Sequence, residues 1–378
     1  MTVRFFYAAA ILAAAILPAS AQQQPWKLAT MLPLTGSNAG AALEYKVGFE
    51  LAVEEINRNG GIKGRPVALE ILDTQSNPGQ VATLIRKACD EALIVVGPSN
   101  SAESQVGFPV ANTMKCPSFA PAAGASGLAE KNRPWSFSMM TPADISTPLA
   151  MNDFIKKIAP KVSVTFIERQ ELAAVSYGQP ASDTLKKNGV KDEVIPVSGN
   201  DVDFSPSVTR AASSDPDLIV ISSMERASIG LLKELHKAQT KSKIMLTMSS
   251  YNSAVGAIGN DVMEGVYRYA LSDPESSSDP KVQKFVAEGR ARTNRTPSLS
   301  GTLCYDALMV TAHVIDKANL KGDPASRDED RQKFIDTMMQ VKDWDGLGGR
   351  FSMSPQGFMQ SRPIVLVFKS GKWEVVKD

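Results

Sequence analysis

The sequence predicts an α/β protein with two doubly wound parallel-sheet units, and three features point to it. Short apolar strands alternate with amphipathic helices from residue 26 onward. The alternation stops at "TPADISTP" and starts again on a second set of similar size. The chain, at 378 residues with 43% hydrophobic and 21% charged residues, is long enough for two moderate domains. Strands separated by helices of this length imply right-handed βαβ units and parallel pairing.

The elements follow in order. "WKLATML" reads as a strand. Residues 40–58 read as a helix, with Phe49, Ala52, Val53 and Ile56 at the spacing of one buried face. "NRNGGIKG" ends that helix, and "PVALEIL" alternates as a half-buried strand. "NPGQVATLIRKAC" makes the next helix, followed by the strand "LIVVG", a helix through "SQVGFPVANTM", and the strand "PSFAPA". In the second set a helix carrying Phe154, Ile155 and Ile158 precedes the strand "VSVTFI". Then come "YGQPASDTLKKNG", "EVIPV", "FSPSVTRAA", "DLIVIS", "IGLLKELHKAQ" and "KIMLTM". Beyond "GVYRYAL" three helical stretches are expected, near 279–292, 300–319 and 328–341. Strand segments close the chain at "GRFSM", "PIVLVF" and "WEVV". A tail of this kind predicts that the chain crosses between the two units more than once.

The N-terminus reads differently. Arg4, the apolar run "FFYAAAILAAAIL" and Ala19-Ser20-Ala21 have the order of a secretory signal peptide, with cleavage expected after Ala21. The apolar run is shorter than the roughly 20 residues a membrane span needs. Acids and bases nearly cancel over the chain, 40 against 41, which gives no electrostatic basis for binding nucleic acid. Three cysteines remain for an oxidising compartment. Cys89 closes a helix and Cys116 precedes the next strand, so both fall at the N-terminal edge of adjacent strands, where a bridge is geometrically reasonable. Cys304 in "TLCYDALMV" reads as a packed core thiol.

The usual catalytic signatures are missing. His236 and His313, the two histidines, have no acidic or cysteine neighbours at ligand spacing, and no metal or other cofactor is expected. No nucleophile elbow, Walker loop or C-x-x-C occurs, and "GLGGRF" (346–351) follows a helix and reads as a turn. The pattern suits holding a molecule rather than changing it. The stretch "VVGPSNSAES" places Ser99, Asn100 and Ser101 at the carboxyl end of a parallel strand and at a helix N-terminus. Ligands of such sheets bind there, and free N–H groups favour an anion. A plain helix cap by Ser99 or Ser101 accounts for the same residues. "APAAGAS" (120–126) ends the next strand at the same edge.

Together these segments resemble the type I periplasmic binding proteins of the leucine/isoleucine/valine-binding kind, over essentially the whole mature chain. The resemblance rests on "PLTGSNA", "GFELAVEEINRNGGIKGRPV", "VVGPSNSAES", "SFAPAAGAS", "VSYGQPASDTLKKNG", "VDFSPSV", "SDPDLIVIS" and "CYDALMV", in the family's order. It implies two lobes joined by three crossover strands, closing like a Venus flytrap on a ligand. One lobe would take 26–142 and about 273–349, the other 143–272 and about 350–378. It implies a monomeric periplasmic receptor that passes a small carboxylate to the membrane permease of an ABC importer. A ligand-presenting sensory protein and a periplasmic hydrolase remain as alternatives. By the resemblance, Ser101 takes the ligand carboxylate beside Asn100. Ala122, Ala123 and Gly124 offer backbone contacts, and Tyr177 closes from the second lobe. Three positions depart from amino-acid binders: Ala41 and Met224 replace tyrosines, and Ser249 lies in Thr247–Ser250, where a carboxylate usually meets the ammonium. Glu225 or Asp144 would have to reach in to replace it. Two ligand classes therefore stay open: a hydrophobic amino acid, or an aromatic or aliphatic acid without the amino group.

Overall fold

A computed structural model describes residues 24–376. The expected signal segment, 1–21, lies outside the described residues. The first unit runs β1 (Trp26–Leu32), α1 (Ala39–Arg58), β2 (Val67–Asp73), α2 (Pro78–Glu91), β3 (Ile94–Val95), α3 (Ser101–Thr113), β4 (Ser118–Ala120) and β5 (Ser136–Ser138). The second runs α4 (Ala143–Ile158), β6 (Val162–Glu168), α5 (Leu172–Lys187), β7 (Lys191–Val197), α6 (Ser205–Ala212), β8 (Leu218–Ser222) and α7 (Glu225–Lys237). It continues through β9 (Lys243–Leu246), α8 (Ser253–Gly256), α9 (Asn260–Met263) and β10 (Tyr267–Ala270). The tail is α10 (Pro280–Thr293), α11 (Leu299–Lys317), α12 (Arg327–Met338), β11 (Trp344–Gly346), β12 (Gly349–Met353), β13 (Met359–Gln360), β14 (Ile364–Lys369) and β15 (Lys372–Val375).

The first sheet is all parallel, in the order β2-β1-β3-β4-β5. The second has the order β15-β14-β10-β9-β8-β6-β7, parallel except where β14 and β15 add on antiparallel. Central strands such as β8 are buried throughout, because helices cover both faces, while the edge strands β2 and β7 alternate. Helix starts are locally encoded too. Asn77 accepts from the Gly79 N–H at 2.9 Å ahead of Pro78, which caps α2.

The tail binds the parts together. Helix α11 packs on α1 so closely that a Cβ at Gly48 would stand 2.2 Å from the Gly301 carbonyl oxygen. The guanidinium of Arg331 on α12 donates to the carbonyls of Cys89, Ala92 and Leu93. The buried Asp306 carboxylate accepts the Leu347 and Gly348 N–H groups at 2.8 and 2.6 Å, which fixes the glycine-rich turn between β11 and β12. The β11–β13 ribbon leans on the first sheet, where the Ser138 N–H donates to Gly357 at 2.9 Å, before β14 enters the second sheet. The chain thus passes between the sheets three times: after β5, after β10 and after β13.

Cys89 and Cys116 form a disulfide with Cα atoms 5.8 Å apart, and Cys304 is a free, buried thiol. Among the described residues no helix is long and apolar enough to cross a membrane.

Candidate functional site: a cavity between two switch points

In each sheet one pair of neighbouring strands feeds helices on opposite sides. This leaves a crevice at their carboxyl ends, between β1 and β3 in the first sheet and between β6 and β8 in the second. The two crevices face each other across an enclosed cavity of about 90 Å³.

The first wall is built at the start of α3. Asn100, not Ser99 or Ser101, is the N-cap, its Oδ1 accepting the Glu103 N–H at 3.0 Å. Ser101 is therefore the first helical residue, and its N–H has no acceptor within the helix. Its Oγ accepts the Ala125 N–H at 3.2 Å, which leaves the hydroxyl proton free to donate elsewhere. The Ala122 N–H donates to Ser99 at 3.1 Å and ties this helix entrance to the end of β4. Ala41, Asn100, Ser101, Ala122 and Gly124 all line the cavity. Ala123 does not line it. Its carbonyl accepts the Ser138 hydroxyl at 2.6 Å, and its side chain packs in a buried cluster with Phe108 and Ala120.

The second wall holds Tyr177, Met224 and Ser249. Tyr177 on α5 is buried, its hydroxyl has no hydrogen-bond partner, and burial raises its pKa. That hydroxyl presses on Gly124, where an added Cβ would stand 2.0 Å away. The Met224 N–H is held by Glu168 at 2.7 Å. The Ser249 hydroxyl belongs to a neutral cluster, 2.9 Å from Thr247 and 3.4 Å from Ser222.

Three charged residues in the lining are new relative to the sequence reading or were left unplaced by it. Glu225, in the first turn of α7, accepts from Asn252 at 2.8 Å and packs on Gly40 of α1. Glu44 on α1 accepts the Ser253 N–H at 2.8 Å from the other unit and the Ser298 N–H at 3.1 Å. Arg268 on β10 pairs with Asp273. Asp144 sits exposed in the first turn of α4 and does not line the cavity. Only Arg268 had a local signal, a charge inside the buried strand "YRYAL". The two glutamates look like ordinary polar helix positions.

Two α/β lobes with facing switch points and a closed cavity between them define a two-lobe binding protein of the flytrap type. A family model described as "Periplasmic binding protein" matches residues 25–368, and the chain belongs to that family, among the type I proteins of the leucine/isoleucine/valine-binding kind. The Leu/Ile/Val-binding protein BraC3 of Rhizobium johnstonii is 26% identical over 359 residues, covering 91% of this chain and 90% of its own. The branched-chain amino acid transporter substrate-binding protein LivJ of Streptococcus pneumoniae, solved with isoleucine, superposes with a TM-score of 0.82 at 19% identity, covering 94% of this chain and all of its own. An ABC-transporter solute-binding protein of R. palustris, solved with benzoate, gives 0.82 at 18% identity and covers 93% of this chain and 95% of its own. Family members are binding proteins rather than enzymes.

Proposed function

We propose that this chain is a monomeric periplasmic receptor that binds a small carboxylic acid in the interlobe cavity and delivers it to the permease of an ABC importer. The observation that carries the reading is the meeting of the α3 N-terminus, at Ser101, with the unpartnered Tyr177 hydroxyl across an enclosed cavity. A carboxylate there accepts the Ser101 N–H and hydroxyl and sits on the positive end of the helix dipole. A buried hydroxyl without a partner costs roughly 1–3 kcal/mol, and a polar atom of the ligand removes that cost when the lobes close. Asn100, Ala122 and Gly124 shape the carboxylate end; Ala41, Met224 and Ser249 shape the rest. The expected cleavage after Ala21 would release the mature receptor into the periplasm. Binding, not turnover, is its work.

The neutral hydroxyl cluster around Ser249 favours an aromatic or aliphatic acid without an ammonium group, since a buried ammonium needs a counter-charge. The place of Glu225 in the lining favours a second reading, a hydrophobic amino acid whose ammonium meets that carboxylate. A thermal-shift panel on residues 22–378, stripped of ligand by unfolding and refolding, separates the two. At about 100 times its dissociation constant a ligand adds roughly 2.7 kcal/mol. Stabilisation by benzoate-like or short aliphatic acids, and not by Leu, Ile, Val or Phe, supports the first reading. The reverse pattern supports the second. No shift with either class overturns both.

A further inference from the structure

Arg268 is the only basic side chain among the described residues that line the cavity. It is 3% exposed on β10, where a charge needs a reason. Asp273 holds its Nη2, and the rings of Tyr251 and Trp373 lie 4.1 and 4.5 Å from the guanidinium carbon. The group is clamped and almost entirely buried. Its Nε is nevertheless buried without a hydrogen-bond partner. An unpaired donor on a charged group inside a protein is costly, and an acceptor atom on a ligand would relieve that cost.

We propose that Arg268 reads a second polar group on the ligand, at the end remote from the carboxylate, and that the natural ligand is a small carboxylic acid carrying a distal oxo or hydroxyl oxygen. The inference rests on the carboxylate reading above. The lining also includes apolar side chains, Met224, Met248, Leu299 and Leu303. A second carboxylate fits less well than a neutral oxygen. Asp273 already balances the charge of Arg268, and the second Asp273 oxygen is taken by the Ser276 N–H at 3.0 Å. Glu44 and Glu225 add negative charge to the same cavity.

The test is calorimetric titration of the full mature protein with matched pairs: benzoate and 4-hydroxybenzoate, pentanoate and 4-oxopentanoate, hexanoate and 5-oxohexanoate. At least one oxygenated member should bind about 10- to 100-fold tighter than its partner, the range of one charge-assisted hydrogen bond. Because Arg268→Met alone would strand Asp273, the double variant Arg268→Met/Asp273→Asn is compared. It should lose that preference, with both members of each pair binding alike. If both members of every pair bind equally, or if the double variant keeps the preference, the role of Arg268 is overturned and the carboxylate reading stands. If none of the six acids binds, the carboxylate reading falls and this inference with it.

Discussion

Replacing Gly124 by Ala tests lobe closure directly. The new Cβ would stand 2.0 Å from the Tyr177 hydroxyl, 3.1 Å from the carbon bearing it and 3.3 Å from the Met140 methyl. Ordinary carbon–oxygen contacts begin at roughly 3.4 Å, so the ring must retreat by more than about 1 Å. Tyr177 is 2% exposed, which leaves its ring little room within its own lobe. The clash therefore falls on the closed arrangement. Overpacking of this kind costs about 1–3 kcal/mol, or roughly 5- to 150-fold in dissociation constant. The backbone at Gly124 is not left-handed, so Ala brings no conformational strain and slightly stiffens the unfolded chain. The expected outcome is weaker binding by calorimetry with an unchanged or slightly higher melting temperature of the ligand-free protein. Affinity within twofold of the parent would refute closure of Tyr177 on Gly124.

Ser101→Ala removes a hydroxyl donor at the carboxylate end and should weaken binding of any carboxylate by about 1–3 kcal/mol. Calorimetry with an intact melting curve checks it, and unchanged affinity would count against the assignment. Glu103, capped into the same helix turn, has its carboxyl pushed up to about 7 by burial, from an ordinary value of 4.5. The folded state holds that proton more tightly than the unfolded state. The stabilisation is therefore complete below pH 4.5 and lost as pH rises through 7, about 3 kcal/mol in all. Urea melts at several pH values should show Glu103→Gln gaining on the parent from about pH 5 to pH 8. Parallel curves would show that Glu103 does not titrate there. Asp306, raised to about 7 by the same cause, contributes equally to both proteins and cancels.

The repeating strands and helices were legible because parallel sheets demand them. "LIVIS" reads as a central strand since both faces are covered, and Asn77-Pro78 announces a helix. Pieces with too few residues for a period were not legible: the three-residue β11, the two-residue β13 and the four-residue α8 and α9. The site divides along similar lines. Ser101, Ala122 and Gly124 follow strand ends, which were readable, whereas Tyr177 lies inside α5 and came from the family resemblance. Ala123, expected to offer a backbone contact, lies off the cavity, its carbonyl held by Ser138 fifteen residues on. Ser99 and Ser101 were the cap candidates in the sequence, and the backbone geometry instead selects Asn100 between them. Glu44 escaped for a plainer reason, and Glu225 was named without being placed. Each touches a residue across the cleft, Ser253 for Glu44 and Gly40 for Glu225, and no local sequence pattern encodes the opposite lobe.

The three cysteines set a sorting problem for a chain of an extracytoplasmic family. Any two can pair, and one choice out of three gives the observed bridge. Cys89 and Cys116 are 27 residues apart, whereas Cys304 lies 188 beyond Cys116 (304 − 116). Closing the sevenfold longer loop costs an unfolded chain about 1.7 kcal/mol more, so the short pairing leads by roughly 20-fold on chain statistics alone. Once α11 seats on α1, Cys304 is sealed away and no longer competes. The spacing makes the right oxidation product the fast one, and the fold then removes the only thiol that would undo it.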